Sequence, residues 1–151
     1  MESRNYYVDC MPRDSKVAHL SNVRMFSALT KRELATVAQA SDEVSAEAGQ
    51  VLVKEGSIGH EFFLILEGTA TVRRNGRKVA TLGPGQYFGE LAVLDRAPRN
   101  ATVVADGPMQ LLVLAQREFS AVLDTVPGVA HKLLRSMATR LREADAKDVT
   151  T

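Results

Sequence analysis

From Asp42 to Ala115 the apolar residues follow a period of two, and glycines cut the stretch into short pieces. Val51-Leu52-Val53, Phe62-Phe63-Leu64-Ile65-Leu66, Ala70-Thr71-Val72, Lys78-Val79-Ala80-Thr81-Leu82, Ala101-Thr102-Val103-Val104 and Met109 to Leu114 read as strands. Turns separate them at Gly49, Gly56-Ser57-Ile58-Gly59, Glu67-Gly68, Asn75-Gly76 and Gly83-Pro84-Gly85. Strands at such short, regular spacing mean antiparallel pairing, and the stretch predicts a β-roll of the jelly-roll, double-stranded β-helix kind. Asn75-Gly76 marks a two-residue hairpin, since both residues accept positive φ. Its basic flanks, Arg73-Arg74 and Arg77-Lys78, read as a solvated edge that discourages aggregation.

Helical spacing brackets the roll. From Lys16 to Ala40 the residues Val17, Leu20, Val23, Phe26, Leu29, Leu34, Val37 and Ala38 recur at helical intervals, and Thr30-x-x-Glu33 reads as a capping box opening a second helix. Gln116 to Asp124 and Gly128 to about Lys147 return to a helical period, broken by Pro127, which suits the first turn of a new helix. Val129, Leu133, Leu134, Met137 and Leu141 form an apolar stripe expected to pack on the roll or on a partner copy. Residues 1–14 mix charge, Pro12 and aromatics without a period, and are expected to be a flexible tail. The predicted class is α+β, mainly β: one domain over 15–147, with a helical segment at 15–41, the roll at 42–115 and C-terminal helices at 116–147.

At 151 residues and 45% hydrophobic content the chain suits a single core. With 19 basic against 18 acidic residues, its formal charge of +1 exerts no broad pull on nucleic acid or anionic membrane, so an anion site has to be local. The single Cys10 excludes an intrachain disulfide and fits a reducing cytoplasm. No apolar run approaches a membrane span, and Met1-Glu2-Ser3-Arg4-Asn5 lacks the apolar core of a secretory signal. His19, His60 and His131 lie far apart with no HxH or HExxH spacing, and CxxC is absent, so neither a metal centre nor another cofactor nor an enzyme is expected.

The segment from Phe88 to Val103 sets Glu90 and Arg99 among small and apolar residues. Gly89 lets backbone approach a ligand, and Glu90 to Leu94 is long enough for one helical turn whose free N–H groups would face an anion. A guanidinium fork takes two phosphate oxygens at once, whereas a carboxylate only accepts and so suits a sugar hydroxyl. The pair describes a nucleotide with few charges, because the GxxxxGK[ST] run of a triphosphate site is missing.

Phe88, Gly89, Glu90, Leu91, Ala92, then Pro98, Arg99, Ala101 and Thr102, resemble the phosphate-binding cassette of the cyclic nucleotide-binding domain family. The resemblance covers roughly residues 20 to 145 and places the cassette at 88–103. It implies a cAMP- or cGMP-binding sensor module, with Glu90 on the ribose 2′-hydroxyl, Arg99 on the cyclic phosphate, and backbone N–H groups near Leu91 and Ala92 beside it. Asn100, Ala101, Val72 and Leu82 are expected to border the ligand. In the family the last helix swings over the base, which makes Leu133, Leu134, Met137 and Arg140 candidates for the lid, although that helix carries no aromatic residue. Asn100 follows Arg99 where guanine-preferring relatives often carry Thr, so cAMP is favoured over cGMP. The output is expected to be contact with an unknown protein partner or attached effector domain, or a homodimer through the C-terminal helix, with no direct nucleic-acid or membrane contact. A degenerate, non-binding domain of the same fold is the alternative. A cupin-type metal enzyme of similar strand pattern is disfavoured by the histidine spacing, and no helix-turn-helix follows the last helix before Thr151.

Overall fold

The computed structural model describes residues 7–9, 20, 23, 26, 28–89, 94 and 96–150, the side chains of 7–9 and 146–150 excepted. Nine strands are described: β1 (Tyr7–Asp9), β2 (Asp42–Ala46), β3 (Val51–Val53), β4 (Glu61–Glu67), β5 (Ala70–Arg74), β6 (Arg77–Leu82), β7 (Tyr87–Phe88), β8 (Thr102–Ala105) and β9 (Met109–Ala115). They form a five-stranded sheet of order β1-β2-β9-β4-β7 and a four-stranded sheet of order β3-β8-β5-β6. Every described pairing is antiparallel, as expected of a β-roll. Among the described residues three helices accompany the sheets: α1 (Lys31–Ala40), α2 (Gln116–Thr125) and α3 (Pro127–Thr150).

The central strands of the five-stranded sheet, β4 and β9, are buried on both faces. Phe63, Ile65, Phe88, Leu111 and Val113 point into the roll against Leu52, Ala70, Val103 and Ala105 of the other sheet. Their chain neighbours Phe62, Leu64, Tyr87, Leu112 and Leu114 point the other way, onto Leu34 and Val37 of α1, Phe119 and Val122 of α2, and Val129 and Leu133 of α3. This explains why Phe62 to Ile65 and Leu111 to Leu114 are unbroken apolar runs: with no solvent face, period-two alternation has nothing to alternate with. Each such side chain contributes roughly 1.5–3 kcal/mol by leaving water. The hairpin falls where expected, with Arg74 opposite Arg77 across Asn75 (φ 54°) and Gly76 (φ 77°).

Three strands escape the sequence pattern. Tyr7–Asp9, within the stretch expected to be a flexible tail, instead pairs along β2, with Val8 opposite Val44. An edge strand is held by backbone bonds and needs no apolar alternation. Asp42–Ala46 hides its pattern behind Asp42 and Glu43, yet Val44 and Ala46 face the roll interior. β7 is only two residues long, too short for any period. Most of 10–27 lies outside the described residues, but Leu20, Val23 and Phe26 are buried in the helical core.

α1 opens as the capping box requires. The Glu33 amide donates to Thr30 Oγ1 at 3.2 Å, and the Thr30 amide donates to Glu33 Oε1 at 2.9 Å. Thr30→Ala is expected to lower stability by about 1 kcal/mol, read from the urea midpoint at unchanged slope; an unmoved midpoint would show that packing alone holds the helix start.

α3 begins at Pro127, where a missing N–H costs nothing. Its expected stripe is only partly correct. Val129 and Leu133 are buried and Met137 packs against the same core, but Leu134 and Leu141 are each 64% exposed. Each stands one position past the line through 129, 133, 137 and 140, a turn of about 100° away from the sheet.

Candidate functional site

Arg99 lies in the loop before β8 and is fixed at both backbone and side chain. Its amide donates to the Ser57 carbonyl and its own carbonyl accepts from the Gly56 amide, both at 2.8 Å, a two-bond bridge to the loop between β3 and β4. The side chain is buried at 6% exposure. Nη1 donates to the Gly89 carbonyl at 3.0 Å and Nη2 to the Glu61 carbonyl at 2.8 Å. The two carbonyl acceptors fix the plane of the guanidinium fork, which suits a group that has to present positive charge in one direction.

Two glycines make room for that fork. A Cβ on Gly59 would overlap the Arg99 guanidinium itself. Gly89 sits at φ +90°, the left-handed region, and a Cβ there would come within 2.7 Å of both Arg99 Nη1 and the Glu61 carbonyl. Sequence reasoning found Gly89 and missed Gly59, which read only as part of a turn; nothing local in the sequence tells that a side chain forty positions later rests on it.

The fork faces a cavity of about 590 Å³, within the range of small-ligand sites. Val72, Leu82, Phe88, Ala101 and Val103 give it apolar walls, and Gly89, Pro98, Arg99 and Asn100 form its polar end. Of the residues singled out from sequence, Gly89, Arg99, Asn100, Ala101, Val72 and Leu82 thus come together in one hollow. Glu90, Leu91 and Ala92 lie outside the described residues.

The lid candidates divide. Arg140 reaches the cavity and stacks its guanidinium over the Tyr87 ring at 4.9 Å. Leu133, Leu134 and Met137 do not line it: Leu133 belongs to the helical core, Met137 packs against that core, and Leu134 faces outward. Two rim residues went unforeseen, Glu143 one turn beyond Arg140 and Tyr87 on β7. Tyr87 packs on Phe62 at 5.6 Å between ring centroids, and Phe62 stacks on Phe119 of α2 at 4.5 Å. Its neighbour Phe88 stacks on Phe63 inside the roll at 4.7 Å. The aromatic group that meets the last helix therefore comes from the sheet, which the search for an aromatic on the helix could not find.

Among the described residues, no group of three or more His, Cys, Asp or Glu side chains could hold a metal ion, and no helix is long and apolar enough to cross a membrane.

A buried Arg fork at the polar end of an apolar hollow, reached by the last helix, is the arrangement of a nucleotide-binding domain. The family model described as "Cyclic nucleotide-binding domain" matches residues 43–126, and the chain belongs to that family. Among solved structures, the catabolite activator protein of Thermus thermophilus is 32% identical over 82% of this chain and 60% of its own, with a TM-score of 0.76. The regulatory domain of PKA from Toxoplasma gondii, co-crystallised with cAMP, is 26% identical over 85% of this chain and 50% of its own, at 0.73. A mutant of the cAMP-binding acyltransferase from Mycobacterium smegmatis is 30% identical over 87% of this chain and 42% of its own, also at 0.73. The chain spans roughly half the length of these relatives.

Proposed function

We propose that this domain binds a cyclic nucleotide, cAMP in preference to cGMP, and signals by changing how α3 docks on the roll. The observation that carries the reading is the buried Arg99 fork, held by the Gly89 and Glu61 carbonyls at the polar end of an apolar cavity. The cyclic phosphate takes the fork, and the purine lies along the walls made by Val72, Leu82 and the β6 residues Val79 and Thr81. Glu90 accepts from the ribose 2′-hydroxyl. The absence of Thr after Arg99 favours adenine. Arg140 supplies the link to output: a base entering the hollow competes for the guanidinium that rests on Tyr87, so occupancy and helix position become one equilibrium. The signal goes to an attached domain or a separate protein; the reaction, where there is one, belongs to that part and not to this cavity.

Side-by-side calorimetry with cAMP, cGMP and AMP tests the ligand. Saturable heat with cAMP, weaker binding of cGMP and none of AMP is the expected order; no heat with either cyclic nucleotide would leave a binding-incompetent member of the family. Hydrogen exchange tests the switch. Adding cAMP should change protection in α3 by at least roughly threefold in the wild type and much less in Arg140→Ala; equal responses would remove Arg140 from the coupling.

A further inference from the structure

Resting on the reading that the cavity holds a cyclic nucleotide, we propose that Arg74 is a second anion-contacting residue of the site, presented by the β5–β6 hairpin beside Arg99. Arg74 ends β5 and lines the same cavity as Arg99 and Asn100. Its Nε donates to the Asn100 carbonyl at 3.0 Å, which ties the guanidinium to the residue directly after Arg99. That bond uses one edge of the fork and leaves the two terminal nitrogens, with four N–H groups, for a ligand oxygen.

The hairpin is also fastened so as to keep Arg74 there. The Asn75 amide donates to Glu55 Oε1 at 3.0 Å, and the Glu55 amide donates to Thr102 Oγ1 at 2.9 Å. Glu55 precedes Gly56, whose amide holds the Arg99 carbonyl, so one loop anchors both guanidinium-bearing segments. Register supplies a further reason. Arg74 stands opposite Arg77 and Arg73 opposite Lys78, like charges facing each other across an antiparallel pair, so an anion beside Arg74 relieves repulsion within the hairpin. Asp106 acts electrostatically with Lys78 and Arg73, the outer pair. Of the pair next to the turn, Arg74 lines the cavity, where an anion does the equivalent work. Arg99, buried, gives directional recognition; Arg74, exposed, gives attraction that salt can screen.

The test is calorimetry of the whole chain with cAMP at roughly 50 mM and roughly 300 mM KCl, a range over which screening of an exposed charge changes substantially. Arg74→Gln keeps an amide donor for the Asn100 carbonyl where Nε stands, and removes the charge together with the terminal N–H groups. It should weaken binding about five- to tenfold at low salt and bring the two salt conditions closer together. Arg74→Lys should restore the salt response with part of the affinity, since a point charge replaces a fork. Arg74→Gln binding as tightly as the wild type at both salts, or losing affinity equally at both, overturns the assignment while the ligand reading stands. A wild-type chain that takes up no cAMP at either salt overturns the ligand reading, and the role of Arg74 with it.

Discussion

Arg99→Ala is expected to weaken cAMP binding by about 2–5 kcal/mol, or between roughly thirtyfold and several thousandfold in Kd. The size follows from where the guanidinium sits. At 6% exposure it has left bulk water, and its direction is fixed by two carbonyls rather than by a flexible tether, so binding need not order it. Without it, the phosphate enters an apolar hollow lacking the cation that offsets its lost hydration. Folding should suffer somewhat less, by about 1–3 kcal/mol, because the Gly89 and Glu61 carbonyls lose their donors in a space that water can then enter. Calorimetry with cAMP reads the first number and urea unfolding the second. Arg99→Lys should resemble the alanine variant more than the wild type, since an ammonium cannot span both carbonyls and a phosphate. Unchanged affinity in Arg99→Ala would dismiss the phosphate role outright.

Gly59→Ala is expected to reach nearly the same loss by a different route. The added methyl would occupy the place of the Arg99 guanidinium, and Gly59 is not among the residues at positive φ, so its backbone accepts alanine without strain. The adjustment therefore falls on the far end of a flexible side chain. Affinity for cAMP should fall by at least roughly tenfold, with stability reduced by no more than about 1–2 kcal/mol. Gly89→Ala differs, because its φ of +90° and the Glu61 carbonyl at 2.7 Å burden the backbone too, and stability should drop along with binding. A double-mutant cycle isolates the mechanism: in an Arg99→Ala background, Gly59→Ala should add almost nothing. Additive losses would mean that Gly59 acts on the ligand independently of the arginine.

What could be read from the residues alone depended on how local the signal was. The Asn75-Gly76 hairpin, the Thr30/Glu33 capping box and Pro127 at the start of α3 each rest on a few neighbouring residues, and each sits where expected. β2 was obscured because Glu43, 1% exposed, is a carboxylate in a buried position that the polar pattern assigns to solvent. The cassette brought Gly89 and Arg99 forward through its motif, while Gly59, Glu61 and Arg74, which complete the site, come from distant elements, and Tyr87, next to the motif, sits on a strand too short to show a pattern. Of the four lid candidates Arg140 alone lines the cavity, for a geometric reason. Periodicity identifies an apolar face, but Leu133 and Leu134 differ by one position, and one position decides between core and solvent.

The brevity of β7 carries a mechanical implication. Its two residues face opposite sides of one sheet, Phe88 toward the hollow and Tyr87 toward the helices, with only Phe63 and Leu64 as register partners. A segment paired over so few residues and leading straight into Gly89 is a lever with a short arm: in the switch proposed above, a small rotation beside a bound phosphate would carry Phe88 and Tyr87 together, one on each face of the sheet.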